Sequence, residues 1–181
     1  MEPHVDAAQG AGALIPTAGQ TAIRTLPACA VAVIGIPLMA WFLPQNAAEQ
    51  RTPWELLSVF AALGLLVIVH YFAQAPRPRL DKKVGRAQWK RAFASAARSE
   101  SLPPHPDVQV AAGIVACNII EGFMVMLAVL WGIIFGGLLR PELSWLAISG
   151  GVVGGLIVYA FRLRRGWSYL HVLHAGGRAH R

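Results

Sequence analysis

Four long apolar runs, at about residues 23–43, 54–75, 109–139 and 143–161, account for more than half of this 181-residue chain, and the basic residues are spread very unevenly around them. Each run holds close to or more than the ~20 helical residues needed to cross ~30 Å of hydrocarbon. Fourteen of the sixteen Lys and Arg residues are Arg24 at the start of the first run, eight in the stretch 76–107, and five in the tail from residue 162. The other two, Arg51 and Arg140, sit in the two remaining connections. If all four runs span a membrane, the basic stretches fall on one side, and the positive-inside rule places both termini and the central stretch in the cytoplasm.

The expected fold is therefore an all-α integral membrane protein with four transmembrane helices arranged as two hairpins. An amphipathic helix lies between the hairpins and a short surface helix follows the second. The organisation reads as a flexible cytoplasmic arm (1–22), a first hairpin (23–75), a basic cytoplasmic loop (76–107), a second hairpin (108–161) and a basic tail (162–181). Composition agrees, with 55% hydrophobic and only 14% charged residues, where soluble chains carry about a quarter charged. Residues 1–22 lack the basic start of a secretory signal. Thirteen Arg to three Lys, with heavy use of Ala and Gly, suits a GC-rich bacterial genome and thus an inner (cytoplasmic) membrane. The pI near 10.3 follows from a basic face beside anionic lipid, and nucleic acid is not needed to explain it.

Within the basic loop, Trp89, Ala92, Phe93, Ala96 and Ala97 recur at helical spacing, with Arg86 and Lys90 one turn apart on another face. Arg86, Trp89, Lys90, Arg91 and Phe93 are accordingly read as a membrane-surface or partner-docking face. Pro37 inside the first run cannot donate to the carbonyl of Val33, which predicts a kink. Trp41, Trp54 and Trp145 stand at run ends, the depth at which indole anchors.

Small residues mark where helices can approach in lipid, because contact there rests on van der Waals packing rather than hydrophobic drive. The fourth run carries Ala147, Gly151 and Gly155 at intervals of four, and the third carries Gly132 and Gly136. These five are the expected helix-packing positions, a glycine-zipper pattern. Polar residues inside the runs are few. Glu121 lies about 18 Å along the third run from Gln109. Asn118 precedes it by three residues, and His70 lies near the cytoplasmic end of the second run. Glu121, Asn118 and His70 form a candidate intramembrane polar cluster.

Reaction motifs are missing from the sequence. It contains no H-E-x-x-H, G-x-S-x-G or P-loop pattern, and Cys29 and Cys117 lack redox or zinc spacing. His171 and His174, one turn apart, lack the acidic or thiol neighbours of a metal site and belong with Trp167 and Leu170 on a surface helix. No catalytic residue, metal or cofactor is expected, and an enzyme is the least favoured class. The leading expectation is an accessory or assembly subunit of a larger membrane complex, with other membrane subunits and anionic lipid as partners. The alternative is a small transporter or proton-coupled channel subunit using the polar cluster.

Overall fold

The computed structural model describes residues 15–42, 61, 64–72, 84–99, 101–141 and 145–176. The described residues are all-helical: α1 (Ala18–Phe42), α2 (Arg86–Ser99), α3 (Pro106–Leu139) and α4 (Trp145–Gly176), together with helical residues 64–72. Among them α1 and α3 are long and apolar enough to cross a membrane. Their 25 and 34 residues extend roughly 38 and 51 Å at 1.5 Å per residue. Only 22% of the most apolar stretch of either helix is buried, whereas the core helix of a soluble protein is mostly buried. The Trp54 anchor, the first connection with Arg51, the proline-rich stretch 76–80, Glu142 and Arg178 lie outside the described residues.

Local chemistry sets the helix starts. Thr17 and Gln20 form a reciprocal capping box, in which the Thr17 N–H donates to Gln20 Oε1 (3.1 Å) and the Gln20 N–H donates to Thr17 Oγ1 (3.2 Å). This begins α1 at Ala18, so part of the arm 1–22 is helical. Gly85 precedes α2, with its N–H bonded to Gln88 Oε1 (3.0 Å). α3 opens on Pro106, whose missing N–H costs nothing in a first turn, followed by Asp107 at the positive end of the helix dipole. The tail does not form a separate surface helix. Residues 162–176 continue α4 without a break, because Arg162-Leu163-Arg164-Arg165 are good helix formers and no proline interrupts them.

Packing divides the chain into two compact units. One comprises Arg24–Gln74 and Phe123–Val158. Its centre is a contact between small residues. Ala28, Ala32 and Ala40 on α1 are buried, as are Ala128, Gly132 and Gly136 on α3. A Cβ built on Gly132 would stand 2.6 Å from the Ala32 carbonyl oxygen and 2.9 Å from the Ile36 side chain. A Cβ on Gly136 would meet the Trp145 ring at 2.7 Å. Arg140 ends α3 buried, and its Nη1 donates to the Ala40 carbonyl (3.2 Å), one of the orphan acceptors at the negative end of α1. Its own carbonyl accepts from Trp145 Nε1 (2.8 Å), tying the end of α3 to the first residue of α4. Outward of this seam stand Ile34, Leu38, Phe42, Trp131, Phe135 and Leu138, all large, apolar and exposed.

The other unit comprises Met1–Ile23, Ala75–Gly122 and Tyr159–Arg181. Here Thr21 Oγ1 lies 3.0 Å from Thr17 O and 3.5 Å from Cys117 Sγ, and its single proton can go to only one of them at a time. Ile15 covers Gly113, where an added Cβ would come within 3.1 Å of it.

Replacing Gly132 by Ala forces a methyl against backbone and is expected to destabilise the fold by roughly 1–3 kcal/mol. Gly151→Ala, with no described atom within 4 Å of the new Cβ, should leave stability unchanged or raise it by up to about 1 kcal/mol. Thermal unfolding of the two variants in detergent micelles, followed by circular dichroism, checks the contrast; equal melting temperatures would contradict the seam.

Candidate functional site

α2 is amphipathic by sequence, and the structure uses that pattern inside the unit. Ala92, Phe93 and Ala96 are buried, Trp89 is half-buried, and Arg86, Lys90, Arg91 and Arg98 face outward. The Phe93 ring lies 5.3 Å from the ring of Tyr169 on α4, and Trp89 lies 5.5 Å from Phe93, edge to face. The docking face expected from Arg86, Trp89, Lys90, Arg91 and Phe93 thus has two parts. Its apolar members hold α2 to α4, and its cations remain outside.

Tyr169 is the keystone of this unit. It is fully buried, and its hydroxyl donates to the Gln109 carbonyl (3.1 Å). Burial pushes the phenol well above the usual range, because the phenolate would lose its water. Gly166, Leu170 and Leu173 are buried at helical spacing beside it, and an added Cβ on Gly166 would rest 3.5 Å from the Ala116 backbone. Gln109 is buried, with Nε2 donating to Pro103 O (2.7 Å). His174 ties residue 15 to α4. Its Nδ1 lies 2.8 Å from Leu170 O and its Nε2 lies 3.0 Å from Ile15 O. A neutral ring can donate to only one of these acceptors.

Glu121 is buried at 3% exposure, whereas Asn118, on the same helix, is exposed. Glu121 and Asn118 belong to the unit of Tyr169, and half-buried His70 belongs to the other. Beside Glu121, Gly122 receives the Tyr159 ring so closely that an added Cβ would fall within 2.5 Å of it.

The five packing positions also part company. Gly132 faces α1 and Gly136 faces Trp145, while Gly155 has only ordinary contact with Met126, 3.6 Å from an added Cβ. Gly151 meets no described atom, and neither do Gly150 and Gly154. Ala147 lies within α4. Cys117 is buried, with its thiol directed at Pro16 O (3.8 Å), and the Cys29 thiol faces Met124 O (3.6 Å); neither is in a disulfide. Among the described residues no group of three or more His, Cys, Asp or Glu could hold a metal ion.

Sequence reasoning missed Tyr169, Arg140 and the pair Ile15–His174. Burial of a phenol and capping of a distant helix end leave no periodic signal. The Thr17-x-x-Gln20 capping box was available in the sequence. No family model, curated protein or solved structure matches this chain.

Because the phenol is held neutral in the folded state, the unfolded chain ionises first once pH passes the ordinary value of about 10. The stability contributed by Tyr169 is present below that pH and falls as pH rises above it. Tyr169→Phe should flatten this alkaline loss while lowering stability at neutral pH by about 1 kcal/mol for the lost hydrogen bond. Unfolding midpoints of both proteins from neutral to strongly alkaline pH test the prediction, and parallel curves would contradict it.

Proposed function

We propose that the protein is a non-catalytic accessory or assembly subunit of a larger complex in a bacterial inner membrane. In this reading all four apolar runs span as two hairpins, with both termini and the basic face in the cytoplasm. One observation supports the subunit role above others: the face of α4 that carries Gly150, Gly151 and Gly154 is open, and no described residue of this chain fills it. Exposed Val153 and Ile157 flank it. A small-residue strip bordered by branched apolar side chains suits close approach by another transmembrane helix. The subunit would act by position, with α4 packing on its partner and the α2 cations meeting anionic lipid.

A second reading, a small proton-coupled transporter or channel subunit, draws support from the buried carboxyl of Glu121.

The test is purification of the full chain from its native membrane in mild detergent. A stoichiometric larger complex is expected, and Gly151→Leu should abolish co-migration while the variant still inserts. Glu121→Gln should assemble normally. Recovery of the chain alone would overturn the subunit reading; loss of pH-gradient dissipation in Glu121→Gln proteoliposomes, relative to wild type, would establish the second.

A further inference from the structure

α2, α3 and α4 enclose a cavity of about 240 Å³ lined by Trp89, Lys90, Phe93, Ile119, Arg162 and Arg165. We infer that this cavity is a binding site for the headgroup of an anionic phospholipid. The inference rests on the membrane placement proposed above, though not on the subunit role.

Charge is the first argument. Arg162 and Arg165 are one turn apart on α4, and Lys90 reaches the same cavity from α2. No described lining residue is acidic. Three like charges gathered in one concavity repel each other, and the apolar walls focus their field, so an anion in the cavity relieves a cost already built into the fold. Two guanidinium groups also match phosphate oxygens in geometry as well as charge.

The walls argue for an amphiphile. Half of the lining is Trp89, Phe93 and Ile119, surface that a hydrated inorganic anion does not use but the glycerol and first methylenes of a lipid do. The border position agrees. Arg162 follows directly on Phe161, which is 78% exposed, so the basic residues begin where the fourth apolar run stops. That junction is headgroup level for a spanning helix, where basic pockets between helices take phosphodiester lipids. Arg86, Arg91 and Arg164 are also exposed but do not line the cavity, so the site is narrower than the basic face as a whole.

The experiment uses the full chain reconstituted in phosphatidylcholine vesicles containing a minor fraction of phosphatidylglycerol, with retained lipid read by native mass spectrometry. Wild type should keep phosphatidylglycerol in preference to phosphatidylcholine. Arg162→Gln/Arg165→Gln should weaken that retention roughly tenfold or more, and Lys90→Gln alone should weaken it less. The control pair Arg91→Gln/Arg164→Gln makes the same change in net charge outside the cavity and should retain lipid as wild type does. Equal loss in the control pair would reduce the effect to bulk electrostatics and overturn the site. Displacement of the lipid by inorganic phosphate, with phosphate itself retained, would overturn it in favour of a soluble ligand. Release of the chain from vesicles by alkaline carbonate would overturn the membrane placement and the site with it, whereas stable insertion without lipid preference would overturn the site alone.

Discussion

The approach of α3 to α1 at Gly132 and Ala32 is the contact on which one unit of this protein depends. With no side chain at 132, the carbonyl of Ala32 occupies space that a methyl would need. Helices packed this closely gain dispersion along their whole seam, the main attraction left where the surroundings are as apolar as the side chains. Arg140 closes the seam at one end. Its guanidinium caps α1 rather than facing solvent, so a residue that looks like a stray loop charge in the sequence secures a helix terminus.

The other unit is held by different means. An aromatic pair, Phe93 and Tyr169, and a set of bonds to carbonyl oxygens from Tyr169, Gln109 and Thr21 do there what close backbone approach does along the seam. Each buried donor named here has an acceptor, which limits the desolvation cost, while Gln109 Oε1 is buried without a hydrogen-bond partner among the described residues.

The apolar runs made the helices legible. The first, third and fourth runs correspond to α1, α3 and the first half of α4, because a long apolar stretch with at most one charge has few ways to satisfy its backbone other than helix. The interval-of-four pattern likewise identified Gly132 and Gly136 as contact positions. It could not assign their partners, since spacing along one helix carries no information about which other helix approaches. The strip on the fourth run has the same pattern as the one on the third, yet no described atom lies within 4 Å of a Cβ added at Gly151, so one sequence signal accompanies different surroundings among the described residues. Of the residues in the amphipathic pattern of α2, Ala92, Phe93 and Ala96 are buried and Trp89 is half-buried, whereas Ala97 is exposed. A buried face against Tyr169 and a face laid on lipid have the same periodicity, and only the structure tells them apart.

The contrast between the cations and Glu121 bears on what such a chain can do. Glu121 is buried, Asn118 on the same helix is exposed, and half-buried His70 belongs to the other unit. An enclosed carboxyl restricts the rotation of α3, because turning the helix would take the group away from the partner it has inside the fold. The cations behave in the opposite way. Lys90, Arg162 and Arg165 are exposed and line one cavity, where their mutual repulsion is a cost that a counter-ion from outside would relieve. The polar chemistry of this protein therefore has two parts, with Tyr169, Gln109, Thr21 and Arg140 engaged inside the fold and the cations of α2 and of the second half of α4 turned outward.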